Sequence, residues 1–402
     1  MKILYFHQHF SVPSGSGGTR SYEIAKRMTG SGHSVVMVCG KYSGSGINIE
    51  GESNRIEARG KVGKIEVIQL NLPYSNHDGF FRRSVTFLRF AWRSIRIALK
   101  EPHDVLFATS TPLTAALPGI AARWLKGSRF VFEVRDLWPE LPVAMGVIRN
   151  PVIVLSLRVL EWMAYFSAHG VVGLSPGILK GIQKRSSLKK PTIMVPNGSD
   201  LSLFVPGERQ ESGKQQTTAV FTGAHGLANG LDAVLDAALE LISRDDVSIR
   251  LIGDGSQKKR LEQRAKDEGI ANCEFKHPIP KTDLAKMLSK ADMGLMILAD
   301  VPAFYEGTSP NKFFDYLSAG LPVVVNYPGW VADIVSKERC GIPVPPDDPR
   351  ALAKAISDLA DDPELRMKIG KRAREVAEAY FDRDQQADRL IKFVLKCAKP
   401  DQ

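Results

Sequence analysis

Residues 305–325 read YEGTSPNKFFDYLSAGLPVVV and divide into three pieces. A loop runs to Pro310, a short amphipathic helix is expected over 311–319, and Leu321, Pro322 and the three valines that follow read as a buried strand. In the loop, Glu306 is followed by Gly307, Thr308 and Ser309, small residues that let backbone N–H groups approach a ligand. Pro310 suits a helix start, where its missing N–H is no loss. The first turn then offers free N–H groups and the positive end of a dipole, a ready place for phosphate. Lys312 and Asp315 are expected on one side of the helix, and Gly320 ends it. An anion site flanked by Glu306 and Asp315 suits a sugar nucleotide, with amides for the phosphates and acids for the hydroxyls. An ordinary helix start with surface acids would also produce these residues.

Working outward, the same strand–loop–helix order recurs on both sides. Residues 2–6, KILYF, read as a buried opening strand. His7 and His9 follow, as readily structural as catalytic. SVPSGSGG at 11–18 is a glycine-rich loop, 19–30 a helix and 33–40 a second strand. A loop at that point is where doubly wound folds bind ligands. Arg20 stands where the dinucleotide fingerprint needs its third glycine, which disfavours a nicotinamide cofactor. Gly17 and Gly18 read either as an approach to a diphosphate or as a flexible turn. A probable strand lies at 65–70, and residues 104–108 and 129–134 are further strands. The last ends in Arg135-Asp136, a charged pair that reads as working groups or as a structural ion pair.

PNGSD at 196–200 is a turn, and 201–216 reads as a domain linker. A second sheet opens at 217–222. It is followed by the glycine loop GAHGLANG at 223–230, which holds Gly223 and His225, and by a strand ending in Gly253-Asp254-Gly255. His277 to Pro280 form a stiff connection. The expected architecture is α/β, with two doubly wound Rossmann-like domains, 1–200 and 217–380, facing each other across a ligand cleft. A helix within 381–402 is expected to pack back on the first domain.

Bulk properties agree with a two-domain globular chain. It has 402 residues, 44% apolar and 24% charged, more than one core usually serves. The 4 cysteines form no metal-ligand spacing and fit a reducing cytoplasm. No signal peptide and no membrane-spanning segment is expected. The net charge of +10 is uneven, +14 over residues 1–190 and −4 over 191–402. Anionic lipid, a diphosphate-linked substrate and nucleic acid are all compatible with that charge. FFRRSVTFLRFAWRSIRIAL at 80–99 mixes aromatic residues with arginines and holds no acid. It suits a helix lying on an anionic membrane, or a core-facing helix with a solvated arginine face. No recognition motif for nucleic acid accompanies it.

Six stretches together resemble retaining glycosyltransferases of family 4, of the GT-B fold, over nearly the whole chain: YFHQHFSVPSGSGGTRSYEIAKRM, FEVRDLWPE, IMVPNGSDLSLF, FTGAHGLANGLD, LIGDGSQ and EGTSPNKFFDYLSAGLPVVV. They are most similar to a WbuB-like subgroup of bacterial surface-polysaccharide sugar transferases. The resemblance implies that Gly17 and Gly18 lie by the donor diphosphate and that Gly253, Asp254, Gly255 and Pro280 line the base. It implies that Glu306 meets the sugar hydroxyls and that Gly307, Thr308 and Ser309 present amides. Asp315 would hold the ribose, and Asn197 would sit at the hinge. Where relatives carry an arginine and a lysine in the second glycine loop, this chain has Ala224 and Asn229. Lys312 and Arg135, then His225 and Arg20, become candidates to meet the diphosphate. The implied reaction needs no metal or cofactor. It moves a sugar, for example N-acetyl-L-fucosamine, from UDP to a polyprenyl-diphosphate-linked saccharide at the inner face of the membrane. Asp136 would orient the acceptor or fix Arg135. A sugar-nucleotide 2-epimerase and a non-catalytic nucleotide-sugar sensor are the rival readings.

Overall fold

The computed structural model describes all residues except 43, 50, 76–77, 186–189, 208–215 and 400–402, and the side chain of Phe80. Most of the expected linker at 201–216, and the last residues of the chain, lie outside the described residues. The chain divides into two compact units. One comprises Met1–Pro196 with Gly307–Ser309 and the residues from Asp384; the other comprises Asn197–Glu306 with Pro310–Arg383.

Among the described residues, the first unit is built on a nine-stranded sheet. Its spatial order is Gly51–Ser53, Glu57–Val62, Ile65–Tyr74, Ser34–Tyr42, Lys2–Phe6, Val105–Thr109, Arg129–Val134, Gly170–Gly173 and Thr192–Met194. All pairings are parallel except the two made by Glu57–Val62. The central strands are buried on both faces, so they read as unbroken apolar runs. Their alternation divides each strand between two cores. Leu4 and Phe6 join Phe90, Ile120 and Ala164 on one face. Ile3 and Tyr5 join Ile24, Leu390 and Val394 on the other. The second face is thus covered partly by the helix Arg383–Ala398, whose Asp388 forms an ion pair with Arg27 at 2.7 Å.

The helix Phe80–Lys100 forms as the 80–99 pattern suggests. Phe90, Ala91, Ile97 and Ala98 face the core, while Phe81, Leu88 and Trp92 remain exposed. The helix therefore has the core-facing side and the solvent-exposed side that the second expectation for it describes. The antiparallel pair Gly51–Ser53 and Glu57–Val62 was not expected from sequence. Its residues are exposed or half-buried, so they carry no apolar alternation to read.

The second unit has a six-stranded parallel sheet among the described residues, in the order Cys273–Lys276, Val247–Ile252, Thr217–Thr222, Met293–Met296, Val323–Val325 and Gly341–Pro343. In residues 305–325, helix Asn311–Ser318 and the strand of three valines form where expected. Gly320, at φ +66°, makes the left-handed turn between them. One correction applies. Tyr305, Glu306 and Gly307 end a short helix, Pro302–Gly307, rather than lying in a loop.

Candidate active site

Each unit gathers polar groups at the carboxyl ends of its central strands, and each cluster is described separately. In the second unit, three glycine positions meet. Gly223 follows strand Thr217–Thr222 at φ +132°, and Gly253 follows strand Val247–Ile252 at φ +153°. A Cβ on Gly253 would lie 1.7 Å from the Gly223 carbonyl oxygen, and one on Gly255 would lie 2.5 Å from the His225 carbonyl oxygen. Only glycine allows the two strand ends to approach this closely. The His225 N–H donates to the Asp254 carbonyl at 2.9 Å, which fixes the loop around the imidazole. Asp254 itself is exposed, its carboxylate accepting from the Gly255 N–H at 2.8 Å.

His225 is fully buried, and neither ring nitrogen has a hydrogen-bond partner among the described residues. Burial, reinforced by the charges of Lys258 and Lys312, holds its pKa down at about 4. It is therefore a neutral imidazole at physiological pH. Lys312 reaches the same place from the start of helix Asn311–Ser318. Its Nζ lies 3.6 Å from the centroid of the Phe221 ring and donates to Asn229 Oδ1 at 3.1 Å. A Cβ on Gly223 would lie 3.2 Å from that Nζ. Burial pulls the Lys312 pKa well below its ordinary value. No carboxylate pairs with it among the described residues. A ring face and an amide oxygen are modest partners for an ammonium group. The site thus presents an amine with no carboxylate partner among the described residues, on a glycine-lined floor.

Asp315 does not share this setting, contrary to the expectation that it would lie beside Lys312. It is 5% exposed, with Oδ1 at 3.6 Å from Lys281 Nζ and 3.9 Å from Arg383 Nη2. Its carboxylate braces the helix against Lys281, the residue after Pro280, and against Arg383. The ribose role assigned to it by resemblance gains no support from this placement. Lys258 was missed altogether, because its helix reads as a charged surface element. Its Nζ is buried and donates to the Gly253 and Lys276 carbonyls at 2.9 and 2.8 Å, tying two strand ends together.

In the first unit, His7, Ser110, Thr111, Arg135 and Asp136 converge at the ends of the Lys2–Phe6, Val105–Thr109 and Arg129–Val134 strands. Arg135 Nη1 lies 3.2 Å from His7 Nε2. A guanidinium only donates, so His7 Nε2 accepts and Nδ1 carries the proton. Among the described residues that Nδ1 is buried without an acceptor, as are Gln8 Oε1 and His9 Nδ1 without partners. Burial, then the charge of Arg135, depresses both histidines, His9 to about 3. The His9 ring also packs against Tyr74, tilted by 50° with the centroids 4.4 Å apart. Asp136 accepts from Thr111 Oγ1 at 3.0 Å. Burial raises its carboxyl above the usual value, partly offset by Arg135 and the Thr111 hydrogen bond. Arg135 and Asp136 therefore turn to different partners and do not form the ion pair considered from sequence.

Arg20 is withdrawn as a phosphate ligand. It is 7% exposed, donating to Glu133 Oε1 at 2.8 Å and to the Val195 and Pro196 carbonyls at 2.9 and 2.7 Å. Gly17, where a Cβ would meet Ser11 Oγ at 2.4 Å, belongs to this unit with the exposed Gly18. Asn197 is buried at the start of the second unit. Glu306, Gly307, Thr308 and Ser309 are half-buried, and the three polar side-chain residues among them have partners.

Residues 15–198 match a family described as a glycosyl transferase 4-like domain, and residues 207–376 match glycosyl transferases group 1. The chain is 22% identical over 301 residues to the probable glycosyltransferase WbjE of Pseudomonas aeruginosa, covering 72% of this chain and 74% of that one. It is 21% identical over 231 residues to the O-antigen chain mannosyltransferase C of Escherichia coli, covering 55% and 59%. It spans about half the length of several other curated relatives that it matches. The structure of Anabaena HepE in complex with UDP matches with a TM-score of 0.68 at 18% identity, over 98% of this chain and 100% of that one. With glycosyltransferase models matching one stretch in each of two parallel-sheet Rossmann-like units, the chain is a glycosyltransferase of the GT-B fold, an enzyme of the transferase class.

Proposed function

We propose that the enzyme transfers a sugar, with retention of configuration, from a UDP-sugar to a lipid-linked saccharide in the synthesis of a bacterial surface polysaccharide. The observation that carries this reading is Lys312, whose amine stands on the Gly223–Gly253–Gly255 floor with no carboxylate partner among the described residues and would be held as the cation by an arriving diphosphate. It reaches Asn229, a position where relatives are expected to carry a lysine. A cation supplied from position 312 would meet the same diphosphate. Its task is to stabilise the charge that grows on the leaving group, in a site where water is scarce. The neutral His225 beside it would donate one ring N–H to a phosphate oxygen. Glu306 and the amides of 307–309 would hold the transferred sugar.

The His7, Arg135 and Asp136 cluster would serve the acceptor. Asp136 would take a hydrogen bond from an acceptor hydroxyl, and the leaving phosphate would receive the proton. UDP as the carrier is supported by the UDP bound in HepE. Surface polysaccharide is supported by the O-antigen mannosyltransferase relative. N-acetyl-L-fucosamine as the donor sugar rests on the WbuB-like resemblance. The exposed arginines of helix Phe80–Lys100 would hold the enzyme to anionic lipid at the inner membrane face. Among the described residues, no helix is long and apolar enough to cross a membrane.

A thermal-shift panel of sugar nucleotides tests the donor assignment. A ligand at ~100 times its dissociation constant should stabilise the protein by about 2.7 kcal/mol. Stabilisation by UDP-sugars that is lost in Lys312→Ala is the expected result, and a flat panel would overturn the reading.

A further inference from the structure

The helices Phe80–Lys100, Leu117–Lys126 and Pro151–Ser167 pack in succession on one face of the first sheet. Most of the exposed large apolar side chains among the described residues lie between Phe81 and Phe166. Helix Pro151–Ser167 is the extreme case. Val152, Leu155, Val159, Trp162 and Phe166 are all exposed, Leu155 by 63%, and their spacing of three and four residues aligns them along one side. The stripe continues onto the neighbouring helix. Phe166 stacks on Trp162 at 5.1 Å and on Trp124 at 5.8 Å, and Trp124 Nε1 donates to Ser167 Oγ at 2.9 Å. An exposed apolar stripe of this length on a water-soluble surface marks an interaction site.

The charges beside it identify the partner. Helices Phe80–Lys100 and Leu117–Lys126 contain no acid. The single acid of helix Pro151–Ser167, Glu161, is buried and bound by Arg185 at 2.7 Å. Cations sit over the aromatic rings: Arg96 at 5.0 Å from Trp92, Arg123 at 5.9 Å from Trp124 and Lys190 at 5.4 Å from Phe166. Lys190 also donates to the Phe166 and Ala168 carbonyls. Tryptophan and phenylalanine rings with arginine and lysine over them match the boundary between acyl chains and anionic headgroups. A second copy of this chain docking here by two-fold symmetry would bring like charges together.

We propose that helix Pro151–Ser167 inserts its Val152–Phe166 stripe into the acyl boundary of an anionic bilayer, while the arginines of Phe80–Lys100 supply only the long-range attraction. This rests on the membrane part of the proposed function and adds a separate, apolar anchor to it. The basic helix would govern the approach and its salt dependence. The apolar stripe would govern residence once the protein has docked.

The test uses full-length protein and sedimentation with vesicles of phosphatidylcholine, alone or mixed with phosphatidylglycerol. At physiological salt, Leu155→Ser with Val159→Ser should weaken binding to the mixed vesicles roughly tenfold or more. Stabilisation by UDP-sugar in solution should be unchanged, which also shows that the variant is folded. Brominated acyl chains should quench tryptophan emission less in Trp162→Phe than in the parent. Undiminished vesicle binding by the double variant overturns the proposal. So does a concentration-dependent dimer that the double variant abolishes, since the stripe would then belong to a second copy. A protein that binds vesicles through this stripe but no sugar nucleotide would sustain the anchor while refuting the donor reading.

Discussion

The two strand-end clusters are built from opposite materials. In the second unit, Gly223, Gly253 and Gly255 leave backbone at the surface, with Lys312 and the neutral His225 as the main side chains. In the first, side chains do most of the work: His7, Arg135, Asp136, Thr111 and the packed rings of His9 and Tyr74. Backbone floors suit a constant piece of ligand, such as a diphosphate, because amides and a point charge read charge rather than shape. Walls of side chains suit a variable partner, since each can change without disturbing the fold. In this reading the donor carrier is met by glycine and lysine, and the acceptor by histidine, arginine and aspartate.

The largest expected effect separates these regions at once. Lys312→Ala should lower turnover by roughly a hundredfold or more, by comparison with a lost oxyanion donor. Near-normal turnover of a folded Lys312→Ala would sink the assignment of the glycine floor to the donor. Asp136→Asn should lower transfer by roughly ten- to a hundredfold while leaving UDP-sugar thermal shifts intact. If the shifts vanish as well, the division of labour between the clusters is wrong. Gly253→Ala probes the floor itself. Its Cβ would fall 1.7 Å from the Gly223 carbonyl oxygen, and a melting-temperature loss of several degrees, about 1–3 kcal/mol, is expected.

Acid should act on both clusters through buried neutral histidines. His225 is held at about 4 and His9 at about 3, both below the 6.5 of the unfolded chain. Between those values and 6.5 the unfolded chain binds more protons, so stability is present above about pH 6.5 and is lost as pH falls towards 4. His225 alone should account for on the order of 3 kcal/mol of that loss. Urea midpoints for His225→Phe should depend less on pH across this window. A smaller effect concerns Lys312. Burial lowers its pKa well below 10.5, so binding a diphosphate should draw a proton onto it. UDP affinity should therefore fall as pH rises above that lowered value, with proton uptake visible by calorimetry in buffers of different ionisation enthalpy.

The architecture was largely legible in the sequence because buried parallel strands leave unbroken apolar runs between glycine turns. Residues 305–325 showed their helix, strand and cation. They did not show where the cation points, because Phe221 and Asn229 lie more than eighty positions away in the chain. Arg20 misled for the same reason. An arginine after a glycine loop reads as an anion ligand until Glu133 is seen beneath it. Asp315 was expected beside Lys312, yet its carboxylate lies 3.6 Å from Lys281 and 3.9 Å from Arg383, both distant in the chain. The exposed stripe of Pro151–Ser167 looked like an ordinary apolar helix, since a sequence does not say which side of a helix has no neighbour.

The helix Arg383–Ala398 has a consequence for how the protein is made. Leu390, Ile391 and Val394 belong to the same core as Ile3 and Tyr5. Part of one side of the first unit's sheet is therefore left uncovered until residues 384–398 leave the ribosome. The second unit, encoded between them, has its own core within Ala219–Leu359 and can close first. During synthesis the first unit would wait with exposed strands, open to chaperones and to aggregation. The first unit's gene segment could not be exchanged as a single continuous block without separating that helix from its sheet.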